Sequence, residues 1–142
     1  MDLESAMPSN EIADAFAECI VAGDWIAAHD LVAPWLSDRW TAIALERAVR
    51  TVGKRTPPPR EWSLDVGVLD YDDIRIPDGL GPPTDPFPDQ LTRGRFRDWI
   101  CIQFQPAEDE RDEVSACFDC WVATAEVNGD LCIGYLEFAE PS

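Results

Sequence analysis

Cys117 and Cys120 stand three residues apart with Asp119 between them, the spacing of redox dithiols and metal knuckles. Their setting argues against both. The run from Cys117 to Val127 alternates like a strand, in which residues three apart point to opposite faces. The sequence holds no second pair of this kind, and His29 is its one histidine. Cys101, Cys117, Cys120 and Cys132 all fall in apolar strand-like runs, where a free thiol packs as a small hydrophobe. No metal and no cofactor is therefore expected. His29, beside Asp30, would act as an acid or base only if it faced a pocket; a satisfied hydrogen bond is its commoner role. No Ser-His-Asp arrangement can be assigned. Gly79-Leu80-Gly81-Pro82 lacks the lysine and helix that a phosphate loop needs.

The elements that would position these residues read as helices first and strands after. Ile12, Phe16, Cys19 and Ile20 recur at helical spacing, with Ser9 as N-cap and Gly23 as C-cap. Asp24 caps a second helix striped by Trp25, Ala28, Leu31, Val32 and Trp35, which Pro34 ends or kinks near Ala33. Ser37 or Asp38 opens a third, with Leu45, Ala48, Val49 and Val52 on one face and Gly53 at its end. Arg47, Arg50, Lys54 and Arg55 crowd its C-terminal end, where the helix dipole accounts for them without a binding site. Pro57-Pro58-Pro59 favours an extended conformation and divides helices from sheet.

Beyond it, Trp62, Leu64, Val66 and Val68 alternate with Ser63, Asp65 and Gly67 as in a half-buried strand. Further strands are predicted at Trp99 to Gln105, Cys117 to Val127 and Leu131 to Phe138. Asn128-Gly129 is a strong hairpin signal for a two-residue turn. Counting outward from it pairs Val127 with Asp130, Ala125 with Cys132, Ala123 with Gly134 and Trp121 with Leu136. That register puts Asp119, Trp121, Leu136 and Phe138 on one face, and Phe118, Cys120, Val122, Ile133 and Tyr135 on the other. Both faces are apolar, so each needs a cover. Helices serve one, which leaves a pocket, a partner or a homodimer mate for the other. Pro77 to Arg95, rich in proline, glycine and acids, reads as a long surface excursion. Pro106 to Val114 reads as a solvated acidic loop. The fold class expected is α+β, with three N-terminal helices packed on an antiparallel sheet of four or more strands, in a single domain over 1–142.

Composition bounds the function. With 142 residues, 46% of them hydrophobic and six tryptophans among them, the chain has ample material for one core. A formal charge of −17 opposes phosphate backbones and anionic lipid, and draws basic proteins instead. The same acidity also serves solubility. No apolar run approaches the roughly 20 residues of a spanning helix. Acids stand at Asp2 and Glu4, where a signal peptide has a basic patch, and the five cysteines are an odd number. A cytoplasmic location with reduced thiols is expected, without nucleic acid or membrane as partner.

Ala15-Phe16-Ala17-Glu18-Cys19-Ile20-Val21-Ala22-Gly23-Asp24-Trp25-Ile26-Ala27-Ala28-His29 resembles the opening helices of the nuclear-transport-factor-2-like superfamily: an aromatic, then Gly-Asp, then an alanine-rich helix. The order of helices before antiparallel strands is similar too. The resemblance implies a strongly curved sheet wrapped around the helices as a cone with an apolar pocket. It embraces isomerases, dehydratases, small-molecule binders, transport adaptors and toxin-neutralising immunity proteins, so it does not choose a function. Isomerase logic would pair Asp119 as general base with Tyr135 as oxyanion donor, but the register above sets them on opposite faces. The favoured expectation is a non-catalytic binding protein, of adaptor or bacterial immunity type, for a basic protein such as a toxin. Asp70, Tyr71, Asp72 and Asp73, and Glu108, Asp109, Glu110, Asp112 and Glu113, are the expected contact loops. The alternative is a small-molecule binder or an isomerase- or dehydratase-type enzyme, with Asp119, Trp121, Leu136 and Phe138 lining a pocket between helices and sheet.

Overall fold

The computed structural model describes residues 9–52, 59–67, 70–77, 79, 82–105 and 118–139. Three helices come first. α1 (Ser9–Ala22) and α2 (Trp25–His29) meet at Gly23, whose φ of 74° is a left-handed helix end that suits glycine. Asp24 caps α2 by accepting the Ala27 N–H at 3.2 Å. α2 ends ahead of the break expected at Pro34, and consecutive turns carry the chain through residues 34–39. There Ser37 donates its hydroxyl to the Pro34 carbonyl at 2.9 Å, which engages it in the preceding turn instead of opening a helix. α3 (Ala42–Val52) therefore starts later than Ser37 or Asp38, with Thr41 accepting the Ala44 N–H at 3.1 Å.

The strands are β1 (Glu61–Gly67), β2 (Phe96–Gln105), β3 (Phe118–Val127) and β4 (Asp130–Ala139), all antiparallel to their neighbours in the order β1-β2-β3-β4. A short helix, α4 (Tyr71–Ile74), lies between β1 and β2 where the acids suggest only loop. The β3–β4 turn has Asn128 at φ 55° and Gly129 at φ 88°, the positive pair that a two-residue hairpin requires.

The expected register holds from Val127↔Asp130 to Ala125↔Cys132 and then fails. Ala123 pairs with Tyr135, and Val122, Trp121 and Cys120 pair with Leu136, Glu137 and Phe138. Gly134 is the extra residue of a bulge. Trp35 donates its indole N–H to the Gly134 carbonyl at 2.9 Å, while Ile133 is held along its outer edge by Leu31 and Ala33 at 2.8 Å each. A Cβ at position 134 would stand 3.0 Å from both the Ala125 Cβ and the Leu91 Cδ1, so only glycine fits there without displacement. β2 has its own irregularity at Arg97, opposite the same stretch of β3. Fully buried Thr124 accepts the Asp98 N–H there at 3.0 Å.

The Gly134 bulge reassigns the faces. Ile100, Ile102, Phe104, Phe118, Cys120, Val122 and Leu136 pack against Ile12, Phe16 and Ile20 of α1 and Leu45 and Val49 of α3, with Phe138 at the margin. Leu136 and Phe138 thus belong to the helix-covered face, not with Asp119 and Trp121, and Tyr135 moves to the opposite one. That second face centres on Trp99, Ala123, Ala125 and Tyr135. Its cover is the stretch expected to be a surface excursion. Leu91 is fully buried, and Phe87 touches four rings, those of Tyr71, Phe96, Trp99 and Tyr135, at centroid distances of 5.2 to 6.1 Å. Among the described residues no helix is long and apolar enough to cross a membrane.

Candidate functional site

Antiparallel pairing lines up side chains in rows across a sheet, two residues apart on each face. On the second face the row Gly67, Trp99, Ala123 and Tyr135 lies under Phe87 and Leu91. The next row is Asp65, Cys101, Trp121 and Glu137, and the one after it Ser63, Gln103, Asp119 and Ala139. Here Ser63, Asp65 and Gln103 are exposed, while Asp119, Trp121 and Glu137 are half-buried. The Trp121 ring stacks on Trp99 with centroids 5.6 Å apart, so an apolar platform runs out from under the cover and ends between carboxylates.

The electrostatics of this end are negative. Neither row contains an arginine or a lysine among its described residues. Partial burial pushes the Asp119 carboxyl up from its ordinary range. The Cys101 thiol is pushed up to about 12, first by burial and then by the charges of Asp119 and Asp65. Cys101 is therefore a thiol and not a nucleophilic thiolate at neutral pH. Glu137 is engaged: it accepts the Tyr135 hydroxyl at 2.5 Å and the Thr84 N–H at 2.9 Å, tying the covering segment to the sheet edge. Burial, then this hydrogen bond and the charge of Glu137, raise the Tyr135 phenol above its ordinary value.

Asp119 and Tyr135 share a face after all. They still form no acid–base pair: Tyr135 pairs with Ala123, four residues along β3 from Asp119, about 13 Å at the rise of a strand.

The other expected site residues scatter. Tyr71 is half-buried against Phe87 and Phe96 and does not stand out among the acids. Asp72 is held by both guanidinium nitrogens of Arg93, with Arg75 at 3.6 Å. Asp70 and Asp73 remain as exposed carboxylates. Glu108, Asp109, Glu110, Asp112, Glu113 and Cys117 lie outside the described residues. The His29 ring nitrogen Nε2 is bonded to the Ser37 carbonyl at 2.9 Å, a structural role. Cys120 is fully buried, which raises its thiol well above the ordinary value.

Leu136 and Phe138 instead reach a cleft of about 520 Å³ between α3 and β4, with Trp40, Arg39 and Arg47 on its other walls. Residues 39–60 hold Arg39, Arg47, Arg50, Lys54, Arg55 and Arg60 against Glu46 alone, and of these Arg39 and Arg47 line the cleft, Arg60 lies beside β1 at the opposite edge of the sheet, and Lys54 and Arg55 fall outside the described residues. More than half of the chain's 11 basic residues lie in this segment. No protein-family model matches the chain, and no curated protein or solved structure matches it either. The superfamily resemblance rests on residues 15–29 and on the order of the elements.

Proposed function

We propose that this chain is a non-catalytic binding protein that receives a basic segment of a partner protein on the open end of the sheet, as an adaptor or a toxin-neutralising immunity protein would. The observation that carries the reading is the Trp121 platform, which shares its row with Asp65 and Glu137 and adjoins the row of Asp119, with no cation in either row among the described residues. A partner's guanidinium can stack on an indole face and pair with flanking carboxylates, an arrangement strengthened by partial desolvation. Tryptophan and arginine are also the residues most often found as interface anchors. The charge of −17 adds long-range steering of a basic partner. Two bulges opposite one stretch of β3 support a strongly bent sheet, which suits the cone of the nuclear-transport-factor-2-like superfamily.

The test is calorimetric titration with an arginine-rich peptide over a series of salt concentrations, and with a lysine-rich peptide of equal charge. Affinity should fall as salt rises, and arginine should be preferred. Trp121→Ala, and separately the double variant Asp65→Asn with Asp119→Asn, should each weaken binding about tenfold with circular dichroism unchanged. Binding indifferent to ionic strength, or untouched by both variants, overturns the reading.

A further inference from the structure

We propose that the cleft between α3 and β4 is a second binding site, one for a small amphipathic carboxylate. Its volume of about 520 Å³ lies within the range of roughly 300–1,000 Å³ usual for small-molecule pockets. The floor is apolar: the Trp40 and Phe138 rings meet edge to face at 5.7 Å, and Leu136 and Ala48 continue the surface. Alanine at 44 and 48 keeps this side of α3 low, which leaves room for an acyl or aryl tail.

Charge selects the head group. Arg47 is exposed at the rim, and among the described residues no carboxylate pairs with it, whereas Arg50, one turn on, is held by Glu46 at 2.5 Å. Arg39, also at the rim, has Asp85 at 3.6 Å; both side chains are more than half exposed, and such a pair contributes little and yields readily to a better partner. A carboxylate fits the planar fork of a guanidinium with two parallel hydrogen bonds. Asp85 and Glu137 on the rim oppose a dianion, so a single negative charge suits the site better than a phosphate monoester. Arg39 and Arg47 are the basic residues that line the cleft among the described residues, and they give an anion its local attraction there.

The probes are decanoate, decanol and decyltrimethylammonium, titrated below their micelle concentrations while amide and indole chemical shifts are followed. Decanoate should bind with shifts at Trp40, Leu136 and Phe138, decanol at least about tenfold more weakly, and the ammonium not at all. Arg47→Gln, an exposed change, should reduce decanoate to the level of decanol and leave decanol unaffected. Ala48→Phe, which fills the cleft, should abolish binding of both. If that variant fails to fold, Arg47→Gln and the shift map decide alone. Equal affinity for decanoate and decanol, indifference to Arg47→Gln, shifts confined to other parts of the molecule, or no binding at all would each overturn the proposal.

Discussion

The two faces of the sheet are built from similar apolar material and covered in different ways. On one, α1 lays a continuous stripe over Ile100, Ile102, Phe104, Phe118 and Val122, several of them wholly inaccessible to solvent, and α3 covers β4 beside it. On the other, a non-repetitive segment sets down two anchors, Phe87 and Leu91, and stops short of Asp65, Asp119 and Trp121. A periodic cover protects the whole length of a sheet. A cover pinned at isolated points protects only what lies under the pins, and Asp65 and Asp119 lie beyond them.

Substitutions can break or sharpen this contrast. The largest effect should come from Phe104→Ala under the helices, where Phe104 stacks on Phe118 at 4.9 Å: a loss of about 3–5 kcal/mol in urea-induced unfolding. Phe87→Ala should cost less, about 2–3 kcal/mol, because the covering segment can settle into the space. Hydrogen exchange should then accelerate in residues 84–96 and not in α1. Equal acceleration in both would show that the faces open as one unit. Gly134→Ala should cost about 1–3 kcal/mol by overpacking against Ala125 and Leu91, and thermal unfolding measures it.

The smallest effect is expected for Asp119→Asn, and its sign is opposite. Burial raises the folded-state pKa of Asp119 above the ordinary 3.8, so the native protein holds this proton more tightly than the unfolded chain. The stability linked to it is fully present below 3.8 and is lost as the pH rises through the raised value. At pH 7 Asp119→Asn should therefore slightly stabilise the protein, and the advantage should vanish in acid. A loss of stability at pH 7 would mean that Asp119 is a structural partner and not a carboxylate held ready for a ligand.

Regular parts of the molecule were legible and irregular ones were not. Alternation from Trp62 onward located β1, the runs at Trp99, Cys117 and Leu131 located the other strands, and Asn128-Gly129 located the hairpin and its first pairs. The bulge at Gly134 has no periodic signature: it depends on Trp35, 99 positions away, claiming a carbonyl. Phe87 and Leu91 stand singly among prolines and acids, so no stripe announces that they are buried. Of the four residues grouped as a pocket, Asp119 and Trp121 keep company, whereas Leu136 and Phe138 were carried to the far side by one residue of slippage. The acids at 70–73 were visible, but not that Arg93 would clasp Asp72.

That slippage means β4 runs in two phases. Before Gly134 the strand follows the count set by its turn; after it, every side chain is inverted relative to that count, which sets Leu136 and Phe138 toward the cleft beside α3 and the Tyr135 phenol beneath Phe87. Excising this single glycine would restore a uniform beat to the ribbon. It would leave Glu137 and Phe138 on the faces they now occupy, whereas keeping the glycine in an unbroken alternation would drive the carboxylate of Glu137 in among the helices and turn Phe138 out to water.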